Sequence, residues 1–193
     1  MFWKIGKGGF TITEMSLALL MGGLLMGGVL KGESLVEGFQ LRVLMKDLQG
    51  ISAAYNTYFN RYNALPGDDP RVHAWEGVKV GNSDGVIDGS SIHDGSEAHE
   101  AWQSLRYTGL ISGDPWARGR DVLPLSPYGR PYELCNRNFG VRFGKQNCVR
   151  VTKLAGSVAE VVDATFDDGR HNTGRISASA SYTNDSVDLY YSL

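Results

Sequence analysis

The side chains of this chain that can do chemistry are few and scattered. Glu14 is the only charge between Phe10 and Leu30, a run of 21 residues. In hydrocarbon a carboxylate there costs about 2.5–3.5 kcal/mol, so it demands a partner. Three Asp-Gly pairs, Asp84-Gly85, Asp88-Gly89 and Asp94-Gly95, follow one another closely, with Asn82 beside them. Carboxylates set off by glycine turns are how hard oxygens are placed around calcium, and Asp84 and Asp88 would lead such a set. The spacing departs from the helix-loop-helix calcium motif at Val86, where a third ligand belongs. Asp-Gly is equally good turn chemistry without an ion. Calcium is the one cofactor this pattern admits, against a plain turn-rich loop. His93 and His99 are six apart and do not share a helix face, which argues against a zinc pair. Cys135 and Cys148 complete the set. In a reducing compartment they would be free or metal-bound, and in an oxidising one they would be bridged.

No catalytic set assembles from these residues. There is no Gly-x-Ser-x-Gly turn, no His-Glu-x-x-His and no Walker-type loop. Gly6-Lys7-Gly8-Gly9 precedes an apolar run instead of linking a strand to a helix. The acidic pairs Asp68–Asp69 and Glu97–Glu100 read as solvated faces or helix caps. The expectation is therefore a non-enzyme. With 19 basic and 21 acidic residues the net charge is −2, which speaks against a nucleic-acid-binding domain. Arg118, Arg120 and Arg137 are too dispersed to give more than weak support for DNA capture or adhesion.

The elements that carry these residues follow from periodicity. As a helix, Phe10–Leu30 is roughly 31 Å long, enough to cross a bilayer core. Lys4 and Lys7 precede it, which places the N-terminus in the cytoplasm and exports the rest. In that oxidising space a Cys135–Cys148 disulfide is expected, enclosing 12 residues and stabilising by roughly 3 kcal/mol on chain-entropy grounds. Gly22, Gly23, Gly27, Gly28 and Gly32 each cost about 1 kcal/mol in a helix. Small residues also permit close helix contact in a membrane. Leu44, Leu48, Ile51, Tyr55, Tyr58, Phe59 and Tyr62 then form one amphipathic face, read as a core face. It ends at Ala64-Leu65-Pro66-Gly67. If continuous, one helix of roughly 80 Å runs from Phe10 to Asn63.

Residues 66–95 read as a long loop. Asp94 is placed as the N-cap of a short helix carrying Ala98, Ala101, Trp102 and Leu105 and ending at Gly109. Residues 112–130 are turn-rich. Strands are expected at Pro131–Cys135, Asn138–Phe143 and Asn147–Thr152, so that the two cysteines tie the first strand to the third. A helix capped by Thr152 and a terminal hairpin, Arg175–Tyr182 with Val187–Leu193, complete the chain. The fold class is α+β: a long N-terminal helix, transmembrane then amphipathic, packed against a small antiparallel β-sheet.

Lys-Gly-Gly-Phe-Thr-Ile-Thr-Glu-Met at 7–15, followed by the apolar run, resembles the processing signal of type IV prepilins and type II secretion pseudopilins. The resemblance implies cleavage between Gly9 and Phe10 by a prepilin peptidase, N-methylation of Phe10, and Glu14 as the fifth residue of the mature chain. Thr13 stands where the family usually has an aliphatic residue. Tyr-Phe-x-x-Tyr-Asn-Ala-Leu-Pro-Gly-Asp-Asp-Pro at 58–70 is similar to the end of the long helix in many bacterial pilin-like proteins. Asp163, Asp167, Asp168 and Thr173-Gly174 resemble a turn in some pilin-like domains. Loss of the leader would leave 17 basic and 21 acidic residues, a net charge near −4.

The implied organisation is a leader at 1–9, a membrane or filament-core segment at 10–30, an amphipathic continuation at 31–65 and a pilin-like α+β region at 66–193. The implied function is a structural subunit of a type IV pilus-like filament or a type II secretion pseudopilus. Its partners would be identical or homologous pilin subunits, the prepilin peptidase, an inner-membrane assembly platform and, before assembly, lipid. The chain would wait as a single-pass inner-membrane protein with a periplasmic domain, then enter the filament. The rival is a non-polymerising periplasmic or surface binding module on an ordinary secretory signal, cut after Gly28, or on an uncleaved anchor.

Overall fold

The computed structural model describes residues 9–72, 78–79, 81–139 and 144–193. Residues 1–8 of the expected leader, with Lys4 and Lys7, lie outside them. The chain divides into two compact units, Met1–Gln40 and Leu41–Leu193. The fold is α+β, with an apolar N-terminal helix and a four-stranded antiparallel sheet.

Helix α1 spans Ile12–Tyr62, 51 residues, starting and ending close to the expected limits. In the first unit the side chains from Ile12 to Val29 are exposed, and none of that 18-residue window is buried. It is long and apolar enough to cross a membrane. In the second unit the periodicity does what was expected of it. Leu44, Leu48, Ile51, Tyr55 and Tyr58 are buried, whereas Phe59, on the flank of that face, stays exposed. The helix ends at Asn63, which takes a left-handed φ of 50°. Gly67 then turns the chain at φ 83°, where a Cβ would lie 2.2 Å from the Glu97 carbonyl oxygen. Only glycine fits that approach.

Helix α2 spans Glu97–Tyr107. Its N-cap is Ser96, whose hydroxyl accepts from the His99 N–H at 3.3 Å, and not the expected Asp94. Asp94 is committed elsewhere, accepting from the Gly119 N–H at 2.8 Å. Trp102 and Leu105 on this helix are fully buried. A short 3-10 turn, Gly119–Val122, interrupts the turn-rich stretch after it.

The sheet consists of β1 Tyr132–Asn138, β2 Lys145–Ala155, β3 Ile176–Ala178 and β4 Ser186–Ser192, in the order β1-β2-β4-β3. Two expectations change here. Asn138 belongs to β1 and not to a separate middle strand, and residues 140–143 of that expected strand lie outside the described residues. β1 and β2 therefore pair directly, Tyr132 with Val151 through Asn138 with Lys145.

Thr152 does not cap a helix either; it lies inside β2. The register shifts between Val151 and Leu154, with Lys153 at φ 51°, and the strand resumes with Leu154 opposite Val187. This bulge keeps Leu154 buried and delays the next helix, α3, to Gly156–Phe166. The terminal hairpin forms as expected, β3 pairing antiparallel with β4.

One core cluster in the second unit draws Leu44, Met45, Leu48, Ile51 and Tyr55 from α1, Trp102 from α2, and Leu134, Val149, Val151, Ile176 and Leu189 from the strands. Polar clamps cross the same region. The Tyr132 hydroxyl donates to Asp47 at 2.9 Å, and the Asn147 amide donates to the Tyr55 hydroxyl at 3.0 Å.

Candidate functional site

The N-terminal constellation is built by the first turn of α1. Gly9 and Phe10 precede the helix and are exposed, Phe10 at 82%. The bond between them is thus accessible and non-helical. The Glu14 carboxylate accepts from the Thr11 N–H at 2.9 Å and from the Thr11 hydroxyl at 2.8 Å. In return, the Glu14 N–H donates to the Thr11 hydroxyl oxygen at 3.2 Å. This is a capping box, in which two backbone donors at the helix start are satisfied reciprocally. Glu14 also lies at the positive end of the helix dipole. The sequence signature of this box is Thr11-Ile12-Thr13-Glu14, a hydroxyl residue followed three positions later by a glutamate.

Among the described residues, nothing packs closely enough on the glycines of the apolar segment to require their small size. A Cβ added at Gly22, Gly23, Gly27, Gly28 or Gly32 would meet nothing within 4 Å. Each nevertheless carries the helix penalty of about 1 kcal/mol.

The 66–97 region does not assemble the expected Asp84–Asp88 pair. Asp84 comes together with Asp68 and Glu97, one oxygen of each lying within 4.8 Å of the others. The two Asp68 oxygens accept from the Ser83 N–H and, at 2.8 Å, from the Gly85 N–H. Asp84 accepts from the Val86 N–H at 2.8 Å and from the Asn82 amide at 3.1 Å. Glu97 accepts from the Asn82 N–H at 3.2 Å and the Asp88 N–H at 3.1 Å. Asp88 thus enters through its backbone. All six carboxylate oxygens of the cluster already hold a donor, so these acids organise the loop by hydrogen bonding. Burial raises the Glu97 pKa, and the neighbouring Asp68 and Asp84 charges add to it against the pull of its two N–H donors.

Of the acidic pairs expected to be solvated faces or helix caps, Glu97 and Glu100 do lie in the first turn of α2, but three of the four residues are not solvated. Asp68, Asp69 and Glu100 are buried. Glu100 accepts from the Lys79 N–H at 3.0 Å, and His99 beside it is buried with Nε2 3.0 Å from Asp94 and Nδ1 3.6 Å from Glu100. His93, by contrast, is exposed.

Asp69 accepts from the Arg71 Nε–H and N–H, both at 2.9 Å, and from the Tyr58 hydroxyl at 3.3 Å. Arg71 also donates to the Tyr62 carbonyl, clipping the loop to the end of α1. Burial pushes the Asp69 pKa up, but the hydrogen bonds and charge of Arg71 outweigh it and hold the carboxyl below its ordinary value. A carboxylate with a depressed folded pKa stabilises fully above the unfolded value of about 3.9, and that contribution is lost as pH falls through the folded value. The acid limb of a stability–pH curve should therefore flatten in Asp69→Asn, which should also melt lower at neutral pH. Parallel wild-type and mutant curves below pH ~4 would contradict this.

The expected Cys135–Cys148 bridge is not formed; both cysteines are free thiols. They are directly opposed across β1 and β2. The Ser91 hydroxyl exchanges hydrogen bonds with Leu134, donating to its carbonyl at 3.0 Å and accepting from its N–H at 2.8 Å. Backbone alternation then turns the Cys135 N–H and carbonyl toward β2, so the cysteines occupy a hydrogen-bonded cross-strand pair. In that seat each sulfur rests on the opposite backbone, Cys135 Sγ 3.5 Å from the Cys148 carbonyl and Cys148 Sγ 3.2 Å from the Cys135 carbonyl. The thiol contact with Cys135, followed by burial, pushes the Cys148 pKa up. Iodoacetamide should therefore modify Cys135 well before Cys148 in the folded, reduced chain, since the thiolate is the reactive form. Equal labelling of the two under native conditions, read by peptide mass mapping, would contradict the geometry.

Two of the three dispersed arginines are used internally. Arg118 donates to Gln103 at 3.3 Å, and Arg137 donates to the Ala178 carbonyl at 2.9 Å with its guanidinium 3.8 Å over the Tyr190 ring. Arg120 is exposed. Comparison of the chain with family models, curated proteins and solved structures finds no match.

Proposed function

We propose that this chain is a structural subunit of a type IV pilus-like or type II secretion pseudopilus filament, processed between Gly9 and Phe10 and polymerised through the first half of α1. The observation that carries the reading is the combination at that end. An exposed Gly-Phe bond leads directly into an exposed apolar helix whose only charge from Ile12 to Val29 is Glu14, in its first turn.

On this reading α1 waits in the inner membrane as a single span, with the second unit in the periplasm. Its Leu44–Tyr58 face is the helix face that carries the sheet. Assembly exchanges lipid for neighbouring helices. Gly22, Gly23, Gly27 and Gly28, which pack on none of the described residues, become points of close approach between subunits. The new amino group of Phe10 becomes the cation that meets Glu14 of a neighbouring copy in low dielectric. Glu14 then has two successive roles: it caps α1 in the single chain and pairs between chains in the filament. The Gly9 side of the junction is the substrate of a prepilin peptidase, and Phe10 is the site of methylation.

The test is recovery of the chain in filaments sheared from the cell surface or, for a pseudopilus, cross-linking into a ladder of multimers at the inner membrane. A chain found only as a monomer in the membrane fraction, under conditions where filaments form, would refute the reading and leave the non-polymerising module.

A further inference from the structure

A pocket of about 400 Å3 on the second unit collects three cationic side chains, Arg120, Arg130 and Lys153. They reach it from three separate elements. Arg120 stands in the short 3-10 turn, Arg130 just before β1, and Lys153 in the bulge of β2. Leu123, which is buried, and Leu125, which is exposed, add apolar surface to the same pocket. A concave site of roughly 300–1,000 Å3 with apolar walls and a few polar groups is how proteins hold small ligands.

The charge in this pocket is uncompensated. Glu133 is the one acid among the lining residues, and it is buried and already accepts from the Arg150 guanidinium. Among the described residues, the side chains of Arg120, Arg130 and Lys153 have no ion-pair partner. Each is exposed at the mouth of the pocket, where solvent is its alternative.

The backbone at Lys153 is an independent observation. Its φ of 51° is a left-handed conformation that glycine takes freely and lysine does not. The Lys153 N–H donates to Asp188 Oδ1 at 2.9 Å, so the bulge is held by a main-chain bond that any residue but proline could make. The bulge therefore has no need of a lysine, and the exposed side chain adds nothing to the core. Bulges re-aim side chains beside binding sites, and strained residues concentrate there. Here the strained residue lines the pocket as its third cation.

We propose that this pocket binds a small phosphate monoester carried on a compact apolar body. Two guanidinium forks and one ammonium suit the terminal oxygens of a phosphate dianion, whereas a lone carboxylate would leave most of the positive charge unmatched. Arg120, Arg130 and Lys153 hold the phosphate, and Leu123 and Leu125 take the apolar body. Glu133, tied to Arg150, stays out of the anion's way. The site belongs to the second unit and stands whether or not the chain polymerises.

The test titrates the full-length chain, in micelles of an uncharged detergent at low salt, with phenyl phosphate and reads the heat. The expected result is one saturable site per chain. Benzyl alcohol should give no saturable heat, and inorganic phosphate should bind about fivefold or more weakly for want of the apolar contact. Lys153→Gly, Arg120→Ala and Arg130→Ala should each weaken phenyl phosphate by about tenfold or more. Glycine takes the φ of the bulge without strain, so Lys153→Gly should melt close to the wild type and still lose the ligand. Lys46→Ala, at an exposed lysine of the neighbouring groove that shares Leu125, should leave binding unchanged. No saturable heat up to about 1 mM phenyl phosphate would overturn the proposal. So would binding that survives Lys153→Gly, inorganic phosphate binding as tightly as phenyl phosphate, or a loss in Lys46→Ala equal to that in the pocket variants.

Discussion

Glu14→Ala should insert into the membrane like the wild type and then fail to enter filaments. Two effects contribute, and they differ in size. Losing the reciprocal bonds to Thr11 removes a capping interaction, worth about 0.5–2 kcal/mol to the helix start. Leaving the Phe10 ammonium of a neighbour without a counter-charge in a desolvated filament core costs about 3–5 kcal/mol. The second term dominates, and it corresponds to a deficit in incorporation of about two orders of magnitude or more when mutant and wild type compete.

Glu14→Gln separates the two. Glutamine serves in a capping box as glutamate does, so this variant keeps the helix start and loses only the charge. It should be nearly as defective as Glu14→Ala when the two chains are co-expressed with wild type and quantified in sheared filaments. Normal incorporation of Glu14→Gln would reduce Glu14 to a helix cap.

Trp102→Ala should be the most damaging single change in the second unit. The side chain is fully buried in the cluster that joins α1, α2 and the strands. Truncations of this kind cost about 3–5 kcal/mol, a large share of a domain's total of about 5–15. Denaturant unfolding of the detergent-solubilised chain should show this as a large fall in midpoint. Trp102→Phe is the informative control. The indole Nε1–H is buried without a hydrogen-bond partner among the described residues, so phenylalanine leaves a smaller cavity and removes an unsatisfied donor. Its loss should be clearly smaller than that of alanine. Equal losses would mean that the indole is held by something other than packing.

The parts of the fold legible in the sequence are those governed by short-range periodicity. The Leu44–Tyr58 face showed in its spacing and is buried, and the alternation near the C-terminus gave the β3–β4 hairpin. The elements that depart from the local signal are those where a stronger tertiary contact competes with it. Asp94 is as good an N-cap as Ser96 by residue type, but the Gly119 N–H claims it. Thr152 followed by an apolar helical pattern looked like a helix start. Pairing with β4 carried the strand on through a bulge, and register shifts leave no mark in one strand's own sequence.

Acid pairs such as Asp68–Asp69 looked solvated because composition does not disclose backbone donors. The Ser83 and Gly85 N–H groups that bury Asp68 lie fifteen and seventeen positions away. The carboxylates at the end of α3 were visible as a motif.

The central claim, that this chain is processed and used as a filament subunit, is tested most directly by the mass of its mature N-terminus. Membranes from cells expressing the full chain with its natural processing machinery would be solubilised, and the N-terminal peptide sequenced by tandem mass spectrometry. The expected chain begins at Phe10, carries one methyl group on its amino nitrogen and lacks residues 1–9. A chain that begins at Met1, or one cut after Gly28, would contradict it.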